Sequence, residues 1–292
     1  MEHILKNDHL TVKIDSAGAE LTSIQNANGT EYLWNADPAY WKRHAPVLFP
    51  FVGSLKNKEY HYQGVSYPMG QHGFARDMEF TLLSTTPNEV WYFLKADDST
   101  RSRYPFDFEL QIGYRLEENR LTVLWQVTNH GTDPMPFSIG AHPAFYCPIT
   151  PGTKRNDYEF RFDNLAPLTY HAIAEGGLAD VHTELPLPET AEHILTISEH
   201  LFDGDALILE GNQAHRVDLA RKGEPPYITV AFDAPLFGLW APLGAETPFV
   251  CIEPWYGRCD ATDFNGSLEE REYGQTAAPG ETVTFSYSMI FA

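Results

Sequence analysis

Cysteine is scarce in this chain, with Cys147, Cys251 and Cys259 the only three in 292 residues. Their irregular spacing fits neither a disulfide framework nor a four-thiolate zinc site, so they read as buried free thiols. Basic residues are also few: 20 Lys and Arg stand against 40 Asp and Glu, a formal charge of −20. That field repels phosphate backbones and anionic lipid at long range, so neither nucleic acid nor a membrane surface is an expected partner. No apolar run reaches membrane-spanning length, and Met1-Glu2-His3-Ile4-Leu5-Lys6 lacks the basic and apolar segments of a secretory signal. The expectation is a cytoplasmic protein, monomeric or homodimeric, in which the sequons Asn28-Gly29-Thr30 and Asn265-Gly266-Ser267 are turns.

The usual chemical signatures are missing as well. There is no phosphate-cradling G-x-x-x-x-G-K-[ST] loop, no G-x-G-x-x-G turn, no H-E-x-x-H helix, no H-x-H strand pair and no G-x-S-x-G elbow. Nucleotide, metal and serine-hydrolase chemistry lose their customary markers, and neither a cofactor nor a metal is expected.

What the sequence has in quantity is period-two alternation. Leu10–Ile14, Phe108–Tyr114 and Leu121–Val127 alternate apolar and polar residues as half-buried strands do, the latter two joined through Glu117-Glu118-Asn119 as a hairpin. Val90–Leu94, Tyr158–Phe162, Ala206–Leu209, Tyr227–Phe232, Phe249–Glu253 and Val283–Phe291 extend the pattern along the whole length. The best helix signal is short, Asp37 as N-cap and Pro38 at the first helical position of a segment running to Arg43. With no long helices between strands, a parallel βαβ architecture is disfavoured. The sequence predicts an all-β protein, a large antiparallel β-sandwich in one domain spanning 1–292. Ala172–Ser198, with Gly176-Gly177 and several prolines, reads as a surface excursion.

Three segments place ionisable groups among apolar neighbours, where burial needs a reason. Phe249-Val250-Cys251-Ile252-Glu253-Pro254 is an apolar strand ending in a carboxylate; Pro254 should end the ladder and leave Glu253 at the sheet margin, its pKa raised toward that of a proton-abstracting base. Gly140-Ala141-His142-Pro143 sets an imidazole at a strand-to-loop break, where it can act as a general acid. Gln71-His72-Gly73-Phe74-Ala75-Arg76 carries His72 and Arg76, which suit hydroxyl recognition. Trp240, Trp255, Phe237 and Tyr256 supply flat faces of the kind that pack on a pyranose. Taken singly, each residue also has an ordinary structural explanation: a solvated Glu, a hydrogen-bonded His, an Arg paired with Asp77 or Glu79, or a core aromatic.

Together with His44-Ala45-Pro46-Val47-Leu48-Phe49-Pro50-Phe51-Val52-Gly53 and Glu253-Pro254-Trp255-Tyr256-Gly257, these segments, in this order, resemble the aldose 1-epimerase (galactose mutarotase-like) family, in particular its LacX-like branch. The resemblance implies a galactose mutarotase-like supersandwich with an open sugar cleft and interconversion of α and β anomers without a cofactor. It implies His142 as general acid and Glu253 as general base, with His72 contacting substrate near the ring oxygen. Arg76 and Trp255 are the further substrate-binding candidates. Where the branch carries an arginine after Gly53, this chain has Ser54, so Lys56 is the candidate replacement donor, as a point charge rather than a planar fork. No motif identifies the family's sugar-binding aspartate, although Asp233 is available. The readings left open are a hexose-phosphate mutarotase using Arg43, Lys56, Lys58 and Arg76, an inactive carbohydrate-binding protein, and a glycosidase pairing Glu253 with Asp233.

Overall fold

Alternation becomes strand pairing almost wherever it occurs in the sequence. The computed structural model describes every residue except Leu165, Glu189, Thr190, Glu192, Ala245 and Glu246. One nine-stranded antiparallel sheet runs in the order Ile194–Thr196, Tyr158–Phe162, Arg216–Arg221, Pro226–Phe232, Thr282–Phe291, Arg120–Asn129, Phe108–Glu117, Glu89–Lys95, Thr81–Thr85. The hairpin at Glu118-Asn119 closes on the pair Glu117 and Arg120, with Glu118 at φ 51°.

The second large sheet carries the order Leu178–Ala179, Thr169–Ala174, Leu207–Leu209, Leu236–Trp240, Phe249–Tyr256, Ile139–Ala141, Val47–Leu48. Ala144–Tyr146 also pairs with Phe249–Tyr256. Because successive side chains on a strand point to opposite faces, Val250 and Ile252 join the main core with Phe237 and Leu239, while Cys251 and Trp255 belong to two separate clusters. The main core also contains Tyr92, Ile112, Val123, Leu219 and Val230 of the first sheet. Each such buried Val, Leu, Ile or Phe stabilises the sandwich by about 1.5–3 kcal/mol relative to an exposed one. The Phe249–Tyr256 strand is apolar almost throughout because both of its faces are covered: all eight residues are buried.

Three expectations need correction. The Asp37 signal yields one capped turn, with Ala39 N–H donating to Asp37 Oδ1 and Tyr40 and Trp41 N–H to Asp37 O. No helix follows, and Trp41 is instead drawn into an aromatic cluster with His142, Trp240 and Phe249. Glu253 does not stand at a strand end, since the ladder continues through Pro254, paired with Phe237, to Tyr256. Ala172–Ser198 is more than an excursion: Thr169–Ala174 is a strand of the second sheet and pairs with Leu207–Leu209. Glu189, Thr190 and Glu192 of that stretch lie outside the described residues. Among the described residues no helix is long and apolar enough to cross a membrane.

Candidate active site

The ladder explains how two residues far apart in sequence come to face each other. Gly140 pairs with Trp255, and Ala144 with Cys251. Counting two residues inward from either pair sets His142 opposite Glu253 in the same register, but between those pairs the strands do not bond. The gap contains Pro143 on one strand and Pro254 on the other, neither with an N–H to leave unsatisfied. Released from the ladder, His142 Nε2 lies 3.4 Å from Glu253 Oε2. Directly opposed side chains on one face are the closest neighbours a sheet provides.

Both groups are buried, His142 to 7% exposure and Glu253 to 1%. Trp41 stacks on the imidazole at 4.8 Å, Trp240 meets it edge-on at 5.3 Å, and His72 stands edge-on at 5.6 Å. Burial in this box, with Arg76 nearby, pushes the His142 imidazole down to about 3. Burial, with the charge of Asp205 adding to it, pushes the Glu253 carboxyl well above its ordinary value, opposed by Trp255. His142 Nδ1, Glu253 Oε2 and Trp255 Nε1 are buried without a hydrogen-bond partner. In the protein alone, such a pair favours uncharged groups, with the proton on the carboxyl.

Two glycines make room for these groups. Gly238 lies across from Glu253, and a Cβ there would meet Trp255 Cη2 at 2.3 Å, so the bare backbone lets the indole lie over the sheet. Gly73 adopts φ 70°, and a Cβ there would meet the Phe49 carbonyl oxygen at 2.2 Å. This tight approach ties the His72 loop to the segment ending at Gly53. The Gly53 N–H donates to His72 Nδ1 at 3.0 Å while the His72 N–H donates to Gly53 O. With Nδ1 accepting, the proton of a neutral ring sits on Nε2, and burial together with His142 and the two arginines holds His72 well below its ordinary value.

His142, Glu253, His72, Trp41, Trp240 and Trp255 wall one cleft of about 490 Å³, which also includes Lys42, Arg43, Arg76, Ile173, Gly177, Asp205 and Cys259. Arg76 donates through an Nη to Gln71 O at 2.8 Å, and its buried Nε makes no hydrogen bond but lies 4.0 Å from Asp77 Oδ2. Burial and the neighbouring Arg43 lower its guanidinium to about 10, so it stays charged. Asp77 accepts from Arg43 at 2.7 Å.

Of the residues expected at the site, His142, Glu253, His72, Arg76 and Trp255 converge on the cleft, and Lys56 does not. Its Nζ donates to Asn265 Oδ1 at 3.0 Å, its backbone N–H donates to Asp260, and it is absent from the cleft wall. A three-residue turn at Lys56–Lys58 directs the side chain toward the Asn265 loop. Lys58 is likewise outside the wall. Asp233 lines a separate groove with Trp91, Arg115 and Tyr256, so it is no partner for Glu253. Sequence reasoning missed Asp205, one acid among forty, which follows Gly204 at φ 74° and lies in the cleft beside Glu253.

The aldose 1-epimerase family model matches residues 1–272. The chain belongs to the aldose 1-epimerase family. It is 35% identical over 293 aligned residues to the plasmid-encoded protein LacX of Lactococcus lactis, covering 98% of this chain and 97% of that one. A galactose mutarotase related enzyme from Lactobacillus acidophilus superposes with a TM-score of 0.94 at 35% identity, over 100% of this chain and 97% of the other. A galactose mutarotase-like protein from Lactobacillus casei gives 0.94 at 28% identity over 100% of both chains. The supersandwich of this epimerase family is thus the fold of the chain, and the cleft lies on one of its two large sheets.

Proposed function

We propose that the protein is a mutarotase that interconverts the α and β anomers of a free hexose, with Glu253 as general base and His142 as general acid. The observation that carries this reading is the cross-strand pair itself, two buried groups 3.4 Å apart at the floor of a cleft. The hydroxyl oxygen and the ring oxygen of a cyclic sugar are bonded to the same anomeric carbon, so ring opening needs a base and an acid close together. A glycosidase instead separates its carboxyl groups by about 5 Å or more.

The two protons of the resting pair suffice for the reaction. Transfer of the Glu253 proton to His142 gives a carboxylate and an imidazolium. Glu253 then takes the proton of the anomeric hydroxyl, the C1–O5 bond breaks with its electron pair going to the ring oxygen, and His142 protonates that oxygen. Rotation about C1–C2 exposes the other face of the aldehyde, and the reverse transfers close the ring. His72 Nε2–H is a donor for the ring oxygen, and Arg76 and Asp205 offer a donor and an acceptor to sugar hydroxyls. The Trp255 ring gives an apolar face for the C–H side of the pyranose.

The test is anomer equilibration of freshly dissolved α-glucose and α-galactose, followed by polarimetry or NMR. Glu253→Gln and His142→Asn should each lower kcat by about 10²–10⁴-fold; full activity in either variant rejects the assignment. A second reading draws on Lys42, Arg43 and Arg76, three cations on the wall of a cleft in a strongly acidic protein. Hexose 6-phosphates, assayed in parallel, distinguish a phosphosugar substrate by their kcat/KM. Sugar binding without any acceleration identifies a binding protein.

A further inference from the structure

Cys251 is buried, packs against Trp34, Ala144 and Phe249, and has no part in the proton transfers described above. It is two residues from Glu253 on the same face of one strand, and its cross-strand neighbours are Ala144 and Trp240. As a result His142, Cys251 and Glu253 each present a ligand atom, nitrogen, sulfur and oxygen, within 4.8 Å of the other two.

We infer that these three side chains form an inhibitory binding site for a borderline or soft divalent cation, Zn²⁺ above all, at the floor of the cleft. Tetrahedral zinc with bonds of ~2.0–2.3 Å holds its ligand atoms roughly 3.3–3.8 Å apart. His142 and Glu253, at 3.4 Å, already have that spacing, and the thiol, within 4.8 Å of both, needs to close by about 1.3 Å at most, within the reach of a Cys rotamer change. One donor each of N, S and O is a zinc set; calcium and magnesium require more oxygens than this face offers. A second observation points the same way. Glu253 is 1% exposed and its Oε2, although 3.4 Å from His142 Nε2, makes no hydrogen bond in the protein alone. A fourth ligand, water or a sugar hydroxyl, would come from the cleft, whose wall includes His142 and Glu253.

Binding displaces the thiol proton to solvent as the sulfur–zinc bond forms, together with any proton held between His142 and Glu253. The cation then occupies the imidazole lone pair and the carboxylate that the proposed mutarotase reaction needs. Zn²⁺ is therefore a reversible inhibitor and not a resident cofactor. The inhibitory consequence rests on the acid–base reading; the site itself does not.

The experiment has two arms. In the first, metal-free protein is titrated with Co²⁺, whose bond to a thiolate gives a near-ultraviolet charge-transfer band. One Co²⁺ per chain is expected, with the band displaced by Zn²⁺, lost in Cys251→Ser and Cys251→Ala, and kept in Cys259→Ser. Cys259 is the informative control because it lines the cleft wall, while Cys251 lies buried behind His142 and Glu253. Near-ultraviolet circular dichroism establishes that each variant is folded, and the paired Ser and Ala variants cover a failure of either one. No band in wild type, or a band that survives both Cys251 substitutions, overturns the proposal. In the second arm Zn²⁺ inhibits anomer interconversion, EDTA reverses the inhibition, and Cys251→Ala raises the half-inhibitory concentration at least tenfold. A wild-type protein that binds Co²⁺ through Cys251 but does not turn over sugar rejects the mutarotase reading and leaves the metal site standing.

Discussion

Replacing His142 with asparagine should make the protein less sensitive to acid. The imidazole is buried among Trp41, Trp240 and His72, and in the folded protein it takes up a proton only near pH 3. Its unfolded value is about 6.5. A folded-state pKa below the unfolded one favours folding above pH ~6.5, and this contribution is lost as pH falls toward the folded value, because the unfolded chain gains a proton the native state refuses. The difference of about 3.5 units corresponds to about 5 kcal/mol in full, of which about 2 kcal/mol is lost between pH 7 and pH 5. Asparagine does not titrate in this range. Urea unfolding of wild type and His142→Asn at pH 7, 6 and 5, at constant ionic strength and without sugar, should therefore show the variant gaining about 2 kcal/mol relative to wild type. Histidines remote from the site cancel in the difference, while His72, which His142 also holds down, is less depressed in the variant and adds to the gain in the same direction. A gap that stays constant across these pH values refutes the reasoning, because it means that His142 titrates in the folded protein over the same range as in the unfolded chain.

Three further outcomes follow from the same geometry. The proposed cycle starts from one proton held on the Glu253–His142 pair and stops when that proton leaves, so the alkaline limb of kcat/KM for anomer interconversion should lie well above the ordinary carboxylate range of about 4.3, because burial holds the Glu253 carboxyl up; a pH–rate profile reads it as a property of the coupled pair. Asp205→Asn removes the negative charge that opposes this ionisation, so that limb should move to lower pH; a limb that stays in place, or moves upward, contradicts the role given to Asp205. Gly238→Ala forces a methyl to within 2.3 Å of Trp255 and should cost about 1–3 kcal/mol of stability, measured by urea unfolding, with Trp255→Phe in the same chain recovering part of the loss.

The sandwich was legible in the sequence because a half-buried strand must alternate. Leu121–Val127 and Val283–Phe291 do so, and they pair with each other across the first sheet. The Phe249–Tyr256 strand was legible as apolar, but its true end was not, since a proline stops a ladder only where a partner strand needs its N–H. Beside Pro254 the neighbouring strand breaks away at His142 and Pro143, so no donor is missed there. The Asp37 cap was real and the helix was not, because one turn of chain gives its aromatic residue to a distant cluster, a tertiary demand that local propensity does not encode. Glu253 and His142 could be singled out from their apolar surroundings and the family resemblance, yet their opposition depends on strand register. Lys56 was chosen for its charge at a sequence position whose side chain turns away from the cleft. Asp205 carries no local signal at all.

The gap between His142 and Glu253 has a consequence for how this scaffold can change over time. The spacing of the two groups is inherited from neighbouring strands in fixed register, braced on either side by bonded pairs, while His72 and Arg76 come from one loop and Asp205 from another around the cleft. A loop can lengthen or change its side chains without altering the distance over which a proton must travel. Such a protein can drift from one sugar to another by remodelling its rim alone, and the reaction it performs is the part most resistant to that drift.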